Sequence, residues 1–257
     1  MSIHGTAIIS DKAKIADGVE IGPYSIIGDD VEIGPGTRIG SHVVVNGPVS
    51  IGADNSIFQF ASIGDEPQDK KYAGEPTRLI IGDRNTIREY CTLSRGTAQG
   101  NYETIVGDDN WIMAYVHIAH DCNVGSHCVM ANNATLAGHV YVGDWVILGG
   151  FTGIHQFCKV GAHSFLGMFS SINRDVPAYT MISGNPAMPK GINSEGLKRR
   201  GFSADEIKNI KNAYRIVYRQ GNKLSAAIDE VVLLAKDQPE LAVFLESLRS
   251  SERGVIR

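Results

Sequence analysis

Aliphatic side chains recur at every sixth position along most of this chain. The period runs from Ile9 to Ile63, returns from Ile81 to Leu93, and continues with a one-residue shift from Val106 to Ile172. An α-helix cannot hold such positions on one face, because its turn takes 3.6 residues. A short strand followed by a turn can do so, if each group of six forms one side of a coil. The pattern predicts a parallel β-helix of hexapeptide repeats, a β-solenoid.

Three such sides would close one coil of about eighteen residues, and successive coils would stack about 4.8 Å apart. Each inward aliphatic side chain would then contribute about 1.5–3 kcal/mol by burial, and stacking would make the core continuous. The 29 glycines among 257 residues suit the tight corners, where a backbone without a Cβ turns easily. The period does not fix the hand of the coil.

Two segments interrupt the period, near residues 64–80 and 94–105. Both are polar and contain almost no inward aliphatic positions, so we expect them to be loops inserted into the coil. Loops on a rigid scaffold often carry binding or catalytic residues. We therefore predict a β-helix over residues 1–186 with two inserted loops of functional interest.

The period ends after Pro177, and the segment 183–191 is expected to be a linker. Beyond it, Ser203 and Glu206 have the spacing of a capping box, which marks the start of a helix. The sequence predicts a C-terminal α-helical domain over residues 187–257 that covers the open end of the coil. Its helices are expected at 202–221, 224–236 and 239–250.

Composition narrows the range of functions. A formal net charge of −4 gives no reason to expect a nucleic-acid-binding protein. No apolar stretch is long enough for a transmembrane segment, and the N-terminus shows no signal-peptide pattern. The cysteines form no C-x-x-C pair, which is typical of free thiols in a reducing cytoplasm: Cys91, Cys122, Cys128 and Cys158. We expect a cytoplasmic protein.

Four histidines should gather on one strip of the coil. With about eighteen residues in a coil, Ile118, Leu136 and Ile154 would lie above one another. The histidines lie close to these three positions in the sequence: His117, His120, His139 and His155. Such a cluster could bind zinc, although an H-x-x-H spacing is not specific for it. A general base is the better interpretation, because an imidazole with a pKa near 6.5 can accept a proton at neutral pH.

His120, Gly138 and Gln156 should stack directly, because they are eighteen residues apart. Asp121 could orient the His120 ring, or it could be a turn residue. Gly138 could present its N–H to an oxyanion, or it could be a glycine required by the corner.

The hexads and several longer motifs together resemble the UDP-N-acetylglucosamine acyltransferase family over essentially the whole chain. The motifs are QDKKYAGEPTR, HIAHDC, NNATLAGHV, HQFCKVGAHS and EGLKRRGFS. The resemblance implies a left-handed coil and a homotrimer with active sites between subunits. It also implies the first step of lipid A biosynthesis. In this step an (R)-3-hydroxyacyl group passes from the phosphopantetheine of acyl carrier protein to the 3-hydroxyl of UDP-N-acetylglucosamine, without cofactor or metal.

The same resemblance assigns roles to individual residues. His120 is similar to the general base, Asp121 to its orienting partner and Gly138 to the oxyanion donor. Residues that line the sugar and acyl pocket are implied at Gln68, Asp69, Lys71, His117, His139, His155 and Gln156. Contacts to the uridine diphosphate are implied at Asn193, Glu195, Arg199 and Arg200, where arginine suits a diphosphate because its planar fork binds two oxygens.

Met168 occupies the position where the family measures acyl length. Since a methionine would fill a pocket that a glycine leaves open, we expect a preference for about ten to twelve carbons rather than about fourteen. The alternative is an ordinary core methionine.

Three other functions remain open at this point. A zinc hydratase could use the same solenoid and the same histidines, and a non-catalytic solenoid scaffold would explain the repeats alone. An acyltransferase for another nucleotide sugar, for a 3-amino sugar or for another acyl carrier is closer still.

Overall fold

The computed structural model describes residues 2–257, and in it the period-six region forms short parallel strands. Most of these strands contain two residues, followed by a tight turn. In chain order they are β1 Ser2–Ile3, β2 Ile8–Ile9, β3 Lys14–Ile15, β4 Glu20–Ile21, β5 Ile26–Ile27, β6 Val31–Ile33, β7 Arg38–Ile39, β8 Val44–Val45, β9 Val49–Ile51, β10 Ser56–Ile57, β11 Ser62–Asp65, β12 Arg78–Ile81, β13 Thr86–Ile87, β14 Thr92–Ser94, β15 Glu103–Val106, β16 Trp111–Ile112, β17 His117–Ile118, β18 Asn123–Val124, β19 Val129–Met130, β20 Thr135–Leu136, β21 Tyr141–Val142, β22 Ile147–Leu148, β23 Gly153–Ile154, β24 Lys159–Val160, β25 Phe165–Leu166, β26 Ser171–Ile172, β27 Thr180–Ser183 and β28 Met188–Ile192.

The strands form three sheets, which are parallel up to β27, and successive strands from β1 to β26 belong to the three sheets in turn. Sheet A begins β1-β4-β7, sheet B begins β2-β5-β8, and sheet C runs from β3 through β6 to β24. Within sheet B, Ile118 pairs with Leu136, and Leu136 pairs with Ile154. This is the predicted register, and the parallel sheets of hexapeptide repeats are confirmed.

The aliphatic positions of the period form the core. From Ile21 to Ile172 each is at most 3% exposed. Ile9 and Ile15, in the first coil, are only partly buried. Because the first coil has a neighbouring coil on one side only, its inward side chains are less completely covered.

Glycine was expected at the corners of the coil, but other residues occupy many of them. Many corner residues are not glycine and still have left-handed φ angles, such as Tyr115 (63°), Asp121 (59°) and His127 (59°). Glycine is needed instead where coils approach closely: a Cβ on Gly34 would lie 2.6 Å from the carbonyl carbon of Gly52 in the next coil.

Two loops leave the coil at the predicted interruptions. The first inserted loop, residues 66–77, connects β11 in sheet B to β12 in sheet C. The second inserted loop, residues 95–102, connects β14 to β15 between the same two sheets, one coil further on. Both loops therefore lie along one edge of the coil.

Helices follow the last strand: α1 Ser194–Arg199, α2 Ala204–Arg219, α3 Leu224–Ala235, a 3₁₀ turn at Pro239–Leu241, and α4 Ala242–Arg249. The predicted capping box between Ser203 and Glu206 is confirmed. The prediction of a linker over 183–191 is wrong, because β28 covers Met188–Ile192 and pairs antiparallel with β27. The short helix α1 was not predicted.

The C-terminus returns to the end of the coil. Val255 forms a bridge with Asp175, and Ile256 packs into the core of the coil. The predicted domain boundary between residues 186 and 187 falls between β27 and β28, which pair with each other, and it stays a prediction. Within residues 2–257, no helix combines the length and apolar character needed to cross a bilayer.

Candidate active site

His120 and Asp121 lie directly after β17, at the edge between sheets B and C. Asp121 is one of the corner residues with a left-handed φ, 59°. His120 Nδ1 lies 2.7 Å from Asp121 Oδ2, so the carboxylate reaches the ring. An ionised carboxylate only accepts hydrogen bonds, so Nδ1 carries the proton and Nε2 presents its lone pair.

Asp121 is held by more than the histidine. Its side chain is 3% exposed, and Thr97 donates to both of its oxygens, from the backbone N–H at 2.9 Å and from Oγ1 at 2.6 Å. Burial alone would raise the pKa of Asp121, but the hydrogen bonds from His120 and Thr97 outweigh burial and lower it. The carboxylate therefore stays ionised at neutral pH.

Gly138 lies in the next coil, directly against the His120 ring. A Cβ at this position would lie 2.5 Å from Cε1 and 2.6 Å from Nε2 of His120. Gly138 does not have a left-handed φ, which belongs instead to the neighbouring His139 (60°). The glycine is thus required by the closeness of the ring and not by the corner. Within residues 2–257 its N–H donates to no other backbone group.

Two more histidines complete the cluster. His139 lies edge-on to His120, with ring centroids 5.1 Å apart, and its Nε2 is 3.6 Å from Asp121 Oδ2. His117 Nδ1 lies 2.6 Å from Thr92 Oγ1. Burial, reinforced by the charge on His120, lowers the pKa of both His117 and His139. Both rings are therefore neutral at neutral pH.

The first inserted loop reaches the same edge. The charge of Asp69, in this loop, opposes the lowering of the His139 pKa by burial. Asp69 Oδ1 also accepts a hydrogen bond from the backbone N–H of Lys71, and Gln68 and Lys71 are exposed. His155 follows β23 of sheet B, and its Nδ1 lies 3.1 Å from the carbonyl oxygen of Gln156.

The residues expected to contact a diphosphate lie elsewhere in the chain, on helix α1. Asn193 is its N-cap: its side-chain oxygen accepts from Gly196 N, and its Nδ2 donates to the backbone oxygen of His163. Glu195 pairs with Lys198 at 2.9 Å, and Arg199 is exposed.

Arg200 is fixed against the coil. Its guanidinium carbon lies 5.1 Å from the ring centroid of Trp145, and its Nη1 is 3.2 Å from His163 Nδ1. Burial and the charge of Arg200 lower the pKa of His163 to about 4, so this ring accepts the hydrogen bond as a neutral group. The sequence pattern gave no reason to select Trp145 or His163.

The structure therefore brings the predicted residues together in two groups. His120, Asp121, Gly138 and His139 are in contact at the edge between sheets B and C. Helix α1 lies against Trp145 and His163, at the edge where the chain passes from sheet C to sheet A. One copy of the chain does not join the two groups.

Among the residues that the structure describes, one group of side chains could hold a metal ion. Ligand atoms of His120, Asp121 and His139 all lie within 4.8 Å of one another. Both oxygens of Asp121, however, already accept short hydrogen bonds from Thr97 and His120. The arrangement fits an oriented histidine at least as well as a metal centre.

Met168 is not a core residue. It is 62% exposed, and its methyl carbon would lie 3.6 Å from a Cβ on Gly150. The interpretation as an ordinary core methionine is wrong, because the side chain lies over the outside of the coil. A pocket closed by Met168 would need a facing wall from outside this chain.

A groove of about 670 Å³ lies between sheet C and helix α4, and its lining includes no residue of the His120 cluster. It is mainly apolar, with Lys159 and Glu246 as the charged residues of its lining. Because it contains no histidine or cysteine, the candidate chemistry stays with the His120 cluster.

Comparison with known proteins gives one consistent result. The family model described as Udp N-acetylglucosamine O-acyltransferase, Domain 2, matches residues 175–256, and the model described as Bacterial transferase hexapeptide (six repeats) matches residues 12–47 and 103–138. The chain is 61% identical over 256 residues to the acyl-[acyl-carrier-protein]--UDP-N-acetylglucosamine O-acyltransferase of Thiobacillus denitrificans, covering 100% of this chain and 99% of that protein.

Solved structures agree with this. The UDP-N-acetylglucosamine O-acyltransferase of Moraxella catarrhalis is 49% identical, superposes with a TM-score of 0.99 and covers 100% of both chains. The UDP-N-acetylglucosamine acyltransferase of Francisella novicida is 44% identical, with a TM-score of 0.98 over 99% of this chain and 94% of that one.

Proposed function

The chain belongs to the UDP-N-acetylglucosamine O-acyltransferase family and is an acyltransferase, and from that premise we propose that it moves an (R)-3-hydroxyacyl group from acyl carrier protein to the 3-hydroxyl of UDP-N-acetylglucosamine. The observation that carries the proposal is the contact of His120 with Asp121 on one side and Gly138 on the other. This arrangement can both remove a proton and stabilise an oxyanion.

In the proposed reaction, His120 Nε2 takes the proton of the sugar 3-hydroxyl as that oxygen attacks the thioester carbonyl. Asp121 stabilises the imidazolium that forms, since it accepts from Nδ1. The tetrahedral oxyanion lies against the N–H of Gly138. Collapse expels the phosphopantetheine thiolate, which takes the proton back from His120. Every proton and electron pair is then accounted for without a metal or cofactor.

We propose that the remaining predicted residues bind the substrate. The first inserted loop, with Gln68, Asp69 and Lys71, leaves the coil at the edge between sheets B and C, where His139 also lies, and suits contacts to the sugar. The acyl chain would cross the outer face of sheet B, where Gly153 has open space beside it. His117, His155 and Gln156 lie along this path.

The uridine diphosphate would bind at helix α1, through Arg199 and Arg200 with Asn193 and Glu195. Because this helix and the His120 cluster lie at different edges of one coil, we propose a homotrimer in which two subunits complete each site. A left-handed coil is part of the same proposal. The exposed side chain of Met168 supports the homotrimer, since a second subunit would supply the wall of the acyl pocket that faces this side chain.

The proposed function is tested by a transfer assay with UDP-N-acetylglucosamine and a panel of 3-hydroxyacyl carrier proteins. We expect ester formation that survives treatment with a strong chelator, because His120 needs no metal to act as a base. A 3-amino analogue of the sugar serves as the competing acceptor. Activity that disappears on chelation and returns with zinc would support the zinc enzyme instead.

The acyl-length proposal is tested by Met168→Gly. We expect the ratio of kcat/KM for fourteen-carbon over ten-carbon donors to rise at least about tenfold, because removal of this side chain extends the groove. Met168→Leu, which keeps most of the volume, should retain the preference for short chains. An unchanged ratio in Met168→Gly would mean that this residue does not measure the chain.

A further inference from the structure

The second inserted loop, residues 95–102, contacts the catalytic pair through Thr97. Thr97 is fully buried, at 0% exposure, although it belongs to a loop. Both of its donors, the backbone N–H and the hydroxyl, point to Asp121. We propose that Thr97 is a positioning residue that fixes Asp121 and, through it, His120; this rests on the proposed function.

The geometry explains why one residue can fix the carboxylate. A carboxylate bound through one oxygen can still rotate about its own bond, whereas donors on both oxygens define its plane. Thr97 N lies 2.9 Å from Oδ1, and Thr97 Oγ1 lies 2.6 Å from Oδ2, the oxygen that also accepts from His120 Nδ1. The orientation of the His120 ring is therefore fixed by two linked hydrogen bonds, one from Thr97 to Asp121 and one from His120 to Asp121.

The same loop covers the carboxylate. Gly100 packs so closely on Asp121 that a Cβ there would overlap its carboxyl atoms. On its other side, the backbone N–H of Asp121 donates to Thr104 Oγ1 at 2.8 Å. Water is kept from the charged oxygens, so the hydrogen bonds that orient them act in a medium of low dielectric.

Arg95 anchors this loop and ties it to the first one. Its guanidinium donates to the backbone oxygens of Gly47 and Gly64, at 2.8 and 3.0 Å, and to Tyr72 Oη at 3.1 Å. Tyr72 belongs to the first inserted loop, which carries Asp69. The loop that carries Thr97 thus also holds the loop that carries Asp69.

The experiment uses Thr97→Val, which removes the hydroxyl and keeps the shape and the backbone N–H. We expect kcat for acyl transfer to fall about tenfold with KM for UDP-N-acetylglucosamine within about twofold, because a hydrogen bond to a charged group is lost. Thr97→Ser, which restores the hydroxyl, should recover most of the rate. Thr86→Val, the same change on sheet A, should behave as the unchanged protein.

A double-variant comparison separates positioning from general stability. In an Asp121→Ala background, Thr97→Val should cost no further rate, because the residue through which Thr97 acts is gone. An equal loss in both backgrounds, or an unchanged kcat in the single variant, would overturn the proposal. If the unchanged protein fails to acylate UDP-N-acetylglucosamine, or if His120→Ala is fully active, the proposed function fails instead, and the two results are distinguishable.

Discussion

Replacement of His120 by alanine is expected to lower kcat for acyl transfer by about 10²–10⁴-fold, the usual contribution of a general base. The side chain is the ring that Asp121 orients and that Gly138 contacts, and its removal leaves the sugar hydroxyl without a group to accept its proton. The fold should remain, because His120 lies at the outer edge of the coil and not in its aliphatic core.

The measurement is steady-state turnover with UDP-N-acetylglucosamine and a 3-hydroxyacyl carrier protein, together with the melting temperature. His4→Ala is the matched control, since His4 is exposed in the first coil and its ring is hydrogen-bonded to Thr6. Near-normal turnover of His120→Ala would show that His120 is not the general base. Because His139 lies edge-on to His120, His139→Ala should be measured alongside. A larger loss of kcat in His139→Ala than in His120→Ala would identify His139 as the general base.

The period of six was sufficient to predict the sheets and their register, since burial of one aliphatic residue per side leaves few other arrangements. It could not predict the close approach of coils at Gly34, or the left-handed φ of residues such as Tyr115, because both depend on the neighbouring coil. The second inserted loop was predicted, but the role of Thr97 was not, because Thr97 lies outside the period and its contact with Asp121 crosses from loop to coil.

The errors near the end of the coil have similar causes. The segment 183–191 contains Pro186 and Pro189, yet β28 lies at the end of sheet A, where proline is tolerated because one side of the strand needs no partner. Helix α1 has six residues, which is too short to show an apolar period. Its start is fixed instead by the Asn193 cap, a contact between one side chain and its neighbours.

For Gly138 the period left two roles equally open, a donor to an oxyanion or a glycine required by the corner, and the structure argues against the second. A corner glycine would be needed for its φ angle, and an alanine there would destabilise the turn. Gly138 has no such angle, and the atoms that exclude a Cβ belong to the His120 ring. A substitution of Gly138 should therefore lower kcat more than it lowers the stability of the fold.

Gly138→Ala is accordingly expected to lower kcat by about 10²-fold, because displacement of a catalytic group by about 1 Å costs this much. The new Cβ would lie 2.5–2.6 Å from Cε1 and Nε2, so the ring must move away from it. The ring cannot move freely, since Nδ1 is held 2.7 Å from Asp121. The backbone N–H proposed for the oxyanion stays in place, which confines the effect to the position of the base.

The measurement compares kcat and melting temperature of Gly138→Ala with those of Gly5→Ala, where a Cβ would meet nothing within 4 Å. Gly5→Ala should leave both unchanged. In a His120→Ala background, Gly138→Ala should cost little further rate, because the ring with which it collides is absent. If Gly138→Ala alone turns over at the normal rate, the ring tolerates displacement, and Asp121 and Gly138 do not fix the base between them.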